Sequence, residues 1–151
     1  MGTQSTYFFE PMKVNGSKDP IMPKDNYIKL NDLFATHFSE NLDSIGSLYF
    51  TKEVFDGTYP GYGSSYPDLQ GGLGLLFEQA SSRGLKQKTA YGEITFPFTI
   101  RNQFVSSLAT VQAAVENKAL LRDYQKAFFE SALSRSKRSK IKAYNFTETD
   151  P

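Results

Sequence analysis

Residues 59–84 read YPGYGSSYPDLQGGLGLLFEQASSRG, and this stretch decides the fold of the middle of the chain. A loop rich in tyrosine and glycine comes first, and an apolar run at residues 75–77 then ends on a lone carboxylate, Glu78. The run is short and apolar on both faces, which predicts a buried strand of a mostly parallel sheet. An acid at the end of a buried element, beside a loop of polar aromatic residues, is common in hydrolase sites. Glu78 is therefore the leading candidate for a catalytic residue.

The N-terminal part of the chain predicts one short strand and a long connection. Residues 7–9 read Tyr-Phe-Phe and predict a strand end, which Pro11 closes because proline cannot donate a ladder hydrogen bond. Residues 13–26 contain several turn-forming residues and have no strand or helix periodicity, so they predict a loop.

The next segment predicts a helix followed by a strand. Apolar residues recur at steps of three and four over residues 27–45, which predicts a helix that Gly46 ends. The apolar stripe consists of Leu30, Leu33, Phe34, Phe38, Leu42 and Ile45. Residues 47–55 predict a strand, which Asp56-Gly57 breaks.

Beyond residue 84, the pattern changes from alternating to helical. Residues 91–98 alternate up to Pro97, and residues 99–133 predict a long amphipathic helix that either continues or breaks near Asn117. The marker residues of this helix are Phe104, Leu108, Val111, Val115, Leu120, Leu121, Tyr124, Phe128, Phe129 and Leu133. Periodicity is lost over residues 135–151, which predicts a flexible basic tail. The expected fold class is α/β, a partial mixed sheet with flanking helices.

Composition limits the functional classes. A chain of 151 residues is long enough for one globular domain, and a net charge of +1 gives no overall attraction to nucleic acid. Without cysteine there is neither a disulfide framework nor a thiolate metal site. No apolar run approaches the roughly 20 residues that a membrane span requires. We therefore expect neither a nucleic-acid partner nor a membrane partner.

The order of these elements resembles the second half of the zinc carboxypeptidase fold of the carboxypeptidase A type. In that family a loop with a substrate-contacting tyrosine precedes, by about twenty residues, the strand that carries the catalytic glutamate. Here Tyr59 precedes Glu78 by 19 positions, and the motifs YPGYGSSYPD and LLFEQASSRG look like the bacterial branch of the family. The resemblance implies that residues 1–134 are the C-terminal half of a peptidase domain, secreted or periplasmic, with a peptide substrate.

The same resemblance implies a metal that this chain does not hold by itself. The family binds one zinc ion through an H-x-x-E pair and a later histidine, and the segment GTQSTYFFEP looks like the one that follows that histidine. All zinc ligands are then expected upstream of Met1, in a missing N-terminal half, so the chain alone is expected to bind no zinc and to be inactive. An open sheet edge and an uncovered apolar face would also make the isolated chain sticky or dimeric.

One internal H-x-x-E, formed by His37 and Glu40, competes with this interpretation. It lies on the predicted helix, and the chain has no second histidine to complete a three-ligand catalytic zinc site. We interpret His37 as a helix residue at the edge of the apolar stripe.

The resemblance assigns roles within the loop and the strand. Glu78 would be the general base, taking a proton from the attacking water and passing it to the leaving amine. Tyr59 would close over the substrate, Tyr62 is a rival for that role, and Tyr66 would line the pocket for the terminal side chain. The alternatives are a solvent-facing or Arg83-paired Glu78 and loop tyrosines that pack on their own turn.

Other chemistries fit less well, and one other class of function stays open. Residues 61–65 lack the central serine of a nucleophile elbow, and residues 71–74 lack the lysine of a phosphate-binding loop. The basic run at residues 135–142 suits a solvated helix end better than a nucleic-acid contact. The alternative function is a noncatalytic module that binds a peptide or carbohydrate on Tyr59, Tyr62 and Tyr66.

Overall fold

The computed structural model describes residues 7–11, 17–18, 29–53, 56–57 and 59–145. Within these ranges the chain is mixed α/β, as the sequence predicts. Its strands are β1 (Tyr7–Phe9), β2 (Ser17–Lys18), β3 (Tyr49–Phe50), β4 (Asp56–Gly57), β5 (Phe77–Gln79), β6 (Lys86–Thr89) and β7 (Gly92–Thr95). Its helices are α1 (Asn31–Ser44), α2 (Phe96–Glu116) and α3 (Lys118–Arg138). None of the described helices combines the length and the hydropathy needed to cross a membrane.

The central sheet has the order β3-β1-β5 and is mixed. β1 runs parallel to β3 and antiparallel to β5, with Phe8 opposite Phe50 on one side and opposite Glu78 on the other. The prediction of a buried strand at residues 75–77 in a mostly parallel sheet is therefore wrong. The strand begins only at Phe77, is half-buried, and pairs antiparallel.

Helix α1 forms because its apolar stripe has a sheet to cover. Phe34, Phe38 and Leu42 are buried on one face, and Gly46 follows the helix with φ of +63°, a left-handed conformation that glycine adopts at little cost. The predicted helix and its stop are confirmed, although the helix begins at Asn31; residues 27–28 lie outside the described residues.

The core consists of aromatic rings between α1 and the sheet. The ring of Phe38 lies edge-on to Phe9 at 5.5 Å and to Phe77 at 4.8 Å, a geometry that aromatic pairs favour. On the α2 side, the Tyr7 hydroxyl hydrogen-bonds Gln103 Oε1 at 3.2 Å. Helices α1 and α2 thus cover one face of the sheet.

Helix α2 buries a face made of small side chains, and its large apolar residues lie on a different face. Asn102, Ser106, Ala109 and Ala113 are buried, and these small or short side chains let α2 approach α1 closely. A separate stripe is exposed and consists of Ile100, Phe104, Leu108, Val111 and Val115. An amphipathic helix was predicted correctly, but part of its apolar face has no cover among the described residues.

Several predicted boundaries shift. The strand predicted over residues 47–55 is limited to Tyr49–Phe50, and the chain bends at Lys52 with φ of +62°; residues 54–55 lie outside the described residues. Asp56–Gly57, predicted as a break, pairs in parallel with Ser17–Lys18, which lies within the predicted loop. The rest of that loop falls outside the described residues.

The C-terminal helices begin earlier and extend further than predicted. The Thr95 hydroxyl accepts a hydrogen bond from the Phe98 amide and caps α2, so the alternating segment stops at Thr95 and the helix starts at Phe96. The helical segment is interrupted at Asn117, between α2 and α3, which is one of the two predicted outcomes. Helix α3 includes residues 135–138, the first part of the predicted tail, while residues 146–151 lie outside the described residues.

Candidate functional site

Glu78 lies in the middle of β5 rather than at its end. It is partly exposed and directly opposite Phe8 of β1. Its neighbour Phe77 packs on Phe38, and Gln79 accepts a hydrogen bond from Gln103 of α2. Because side chains alternate along a strand, Glu78 faces the side of the sheet away from these helices. No described ion pair joins Glu78 to Arg83.

The tyrosine loop presents three exposed phenols. Tyr59, Tyr62 and Tyr66 are 57%, 45% and 57% exposed. The rings of Tyr59 and Tyr62 meet edge to face with centroids 5.0 Å apart, and the Tyr66 amide donates to the Tyr62 carbonyl at 2.9 Å in a tight turn. Among the described contacts, none of these tyrosines hydrogen-bonds Glu78. The phenols are therefore accessible, and none of them is bonded to the carboxylate in the part of the chain that the structure describes.

The loop is tied to the run that leads into β5 at Gly74. The Gly74 amide donates to Asp68 Oδ1 at 2.6 Å, and a Cβ built at Gly74 would lie 1.8 Å from the Ser64 carbonyl oxygen. Only glycine allows that approach. The tyrosine loop is thereby anchored four residues before Glu78, and Asp68 is the anchor.

A second buried carboxyl, Glu10, accompanies Asp68 and was missed by sequence reasoning. Glu10 is 5% exposed and Asp68 is 4% exposed. Burial, and secondarily the charge of Asp68, raise the pKa of Glu10 from 4.5 to about 8. Glu10 Oε2 has no hydrogen-bond partner among the described residues. The only sequence signal was the position of Glu10 directly after a buried strand, which does not distinguish a buried acid from an edge residue.

An open groove of about 500 Å³ lies between the end of β5 and the first turns of α2. Gln79 and Ser82 line one wall, and Thr99, Ile100 and Phe104 line the other. The hydroxyls of Ser82 and Thr99 are hydrogen-bonded at 2.9 Å. The groove has both apolar and hydroxyl walls and lies on the α2 side of the sheet, whereas Glu78 faces the other side.

The described residues do not form a metal site. No group of three histidine, cysteine, aspartate or glutamate side chains converges anywhere among them. His37 Nε2 lies 3.6 Å from Glu116 of α2 rather than joining Glu40. The described residues thus do not fit a three-ligand zinc centre.

Together these residues can provide a partly exposed carboxylate and exposed phenols, while the groove lies on the other face of the sheet, beside α2. Comparisons of the chain with known protein families, curated proteins and solved structures found no match. The functional argument therefore depends on the site itself.

Proposed function

We propose that this chain provides the general-base half of a peptidase site of the zinc carboxypeptidase kind. The observation that carries the proposal is the antiparallel pairing of β1 with β5, in which Tyr7 lies opposite Gln79 and Phe8 opposite Glu78. The end at which the chain enters β1 is therefore the end at which β5 leaves the sheet. Groups supplied by residues before β1 would approach the sheet at the end of β5 where Gln79 lies, one residue from Glu78.

Glu78 is suited to the base role because its side chain is partly exposed. Its strand is held in place by the two sequence neighbours of Glu78, since Phe77 packs on α1 and Gln79 is hydrogen-bonded to α2. It would accept a proton from the water that attacks the peptide carbonyl and return it to the leaving amine. A rigid strand holds such a group more accurately than a loop would.

The tyrosine loop would close over the bound peptide. Tyr59 or Tyr62 is the phenol that donates a hydrogen bond to the substrate, and Tyr66 lies further along the same anchored turn. Closure of such loops is a common way to exclude water and complete a site. The zinc ion would require ligands from outside the described residues, which the proposal places before Met1.

The exposed stripe of α2 also supports an incomplete domain. Phe104, Leu108 and Val111 are each more than half exposed. A continuous apolar stripe of this length on a helix commonly marks a surface that another part of a protein covers. We expect the remainder of the domain to pack there, and the isolated chain to associate through it.

The decisive test is Glu78→Gln in the longest polypeptide that the gene encodes, because glutamine keeps the shape of the side chain and removes the base. We expect release of the C-terminal residue from N-acetylated tripeptides, with kcat/KM at least about 100-fold lower in the variant. Glu40→Gln, an exposed carboxylate on α1, is the matched control and should change kcat/KM less than twofold. The 151-residue chain alone should be silent.

Two results would contradict the proposal. One is full activity of the Glu78→Gln variant. The other is equal cleavage of peptides whose C-terminus is amidated, since a carboxypeptidase requires the free terminal carboxylate. The gene sequence offers an independent check, because a histidine codon is expected shortly before the codon for Met1, with an H-x-x-E further upstream.

A second candidate function is supported by the exposure of the three tyrosines. Exposed aromatic rings, two of them in contact at 5.0 Å, form a surface on which a sugar ring or a peptide can stack. This module would bind its ligand as the 151-residue chain alone. Calorimetry with oligosaccharides and peptides distinguishes the binding module from the peptidase. The module is favoured if the ligand binds without being hydrolysed, if Tyr59→Ala abolishes this binding, and if Glu78→Gln leaves it unchanged.

A further inference from the structure

An apolar cavity of about 380 Å³ lies where α3 meets α1, α2 and the glycine-rich run before β5. Its walls include Phe34 of α1, Ala114 of α2 and Leu121 of α3, and Leu73 and Leu75 come from the glycine-rich run. Small-molecule pockets commonly range from about 300 to 1,000 Å³, so this cavity suits a small ligand with an apolar body.

Two cations stand at the rim of this cavity. Lys118 and Arg122 line it from successive turns of α3, four residues apart, which places them on the same face of the helix. Neither side chain takes part in an ion pair or a hydrogen bond among the described residues. None of the described residues that line the cavity is acidic.

The nearest acidic residues along the chain do not neutralise this rim. Glu116 lies 3.6 Å from His37 Nε2 and is engaged there. Asp123 follows Arg122 directly, and a step of one residue turns the side chain by about 100° around the helix. Lys118 and Arg122 therefore leave the cavity with an apolar interior and a positive opening.

We propose that this cavity binds a medium-chain fatty acid, with the hydrocarbon chain inside and the carboxylate at Lys118 and Arg122. The planar guanidinium of Arg122 can donate two parallel hydrogen bonds to a carboxylate, and Lys118 adds a second positive charge. A chain of roughly eight to ten carbons is of the size that the cavity accepts. This site is separate from Glu78 and independent of the proposed peptidase function.

Charge complementarity selects this occupant over a purely apolar one. A second copy of the chain could bury the apolar walls, but it would also have to bring an acidic side chain to both cations, because leaving them desolvated without a partner is costly. A small amphiphile with a terminal carboxylate satisfies both the walls and the cations.

The test is calorimetric titration of the 151-residue chain with octanoate and, separately, with 1-octanol, which has the same chain without the charge. We expect saturable one-to-one binding of octanoate, at least about tenfold tighter than that of 1-octanol. In the double variant Lys118→Gln/Arg122→Gln, octanoate affinity should fall about tenfold while that of 1-octanol stays unchanged. Arg135→Gln, an exposed cation on α3 outside the cavity, is the control and should bind like the parent chain.

A further variant tests the cavity rather than the charge. Ala114→Leu adds bulk to the wall and should weaken octanoate and 1-octanol alike, while circular dichroism shows a folded chain. Equal affinity for octanoate and 1-octanol, or full octanoate affinity in the double variant, overturns the proposal. So does tighter binding of N-acetyl-leucine than of octanoate, which would assign the site to a peptide C-terminus. Analytical sedimentation gives a further test. If the only effect of octanoate is to dissociate a dimer, the proposal is overturned, because a second copy of the chain would then occupy the cavity.

Discussion

Replacing Glu10 with glutamine is expected to raise the free energy of unfolding at pH 8 by about 3 to 5 kcal/mol. Glu10 is buried beside Asp68, and its pKa rises from 4.5 to about 8 for that reason. The folded chain must therefore keep this carboxyl protonated or bear a buried charge next to another acid. Glutamine has the same shape and has no charge to bury.

The sign of the pH dependence follows from proton binding. Between pH 4.5 and about 8 the folded chain holds a proton on Glu10 that the unfolded chain has released. The stabilising contribution of Glu10 is thus fully present below pH 4.5 and is lost as pH rises toward 8. The free energy of unfolding of the parent chain should fall across this interval, whereas that of Glu10→Gln should stay nearly level.

Urea unfolding at intervals from pH 4 to pH 9 measures this difference directly. Glu40→Gln replaces an exposed carboxylate on α1 and should leave the pH profile of the parent chain intact. If Glu10→Gln and the parent chain have parallel profiles, Glu10 is ionised or solvated in the folded chain, and its burial beside Asp68 has no energetic consequence.

Gly74→Ala is expected to cost about 3 kcal/mol or more and to detach the tyrosine loop. A Cβ at this position would lie 1.8 Å from the Ser64 carbonyl oxygen, so the backbone of one segment must move. Movement also breaks the 2.6 Å hydrogen bond from the Gly74 amide to Asp68. Because only two residues separate Gly74 from β5, the position of Glu78 relative to the loop should change as well.

Gly63→Ala is the matched control within the same loop. Nothing lies within 4 Å of a Cβ at Gly63, and its backbone is not in the left-handed region, so the stability change should stay within about 0.5 kcal/mol. Hydrogen exchange of the residue 59–67 amides reports detachment, with faster exchange expected in Gly74→Ala alone. Equal exchange in both variants would show that the contact between Ser64 and Gly74 does not hold the loop.

Sequence patterns predicted the elements whose local signal and tertiary role agree. Helix α1 has an apolar stripe and a terminal glycine, and both operate in the fold as expected. The break at Asn117 was one of two predicted outcomes for the C-terminal helical segment.

Predictions failed where the partner of a segment decides its structure. Residues 75–77 are apolar enough for a buried strand, yet pairing with β1 selects Phe77–Gln79 and places Glu78 mid-strand. On α2, the large apolar residues suggested the buried face, but the contact with α1 favours the small side chains of Ala109 and Ala113. A strand register and a helix face depend on a neighbour that the local sequence does not specify.

The sequence by itself determined the α/β class, the first helix with its stop, and the tyrosine loop followed by a lone glutamate, because each depends on spacing within a few residues. Only the tertiary structure brought Glu10 beside Asp68, pressed Ser64 onto Gly74, and set Lys118 and Arg122 at the mouth of an apolar cavity. These features join segments that are ten to fifty residues or more apart, or depend on the space between helices. Burial and close contact are properties of the packed chain, and the energies that define a site arise from them.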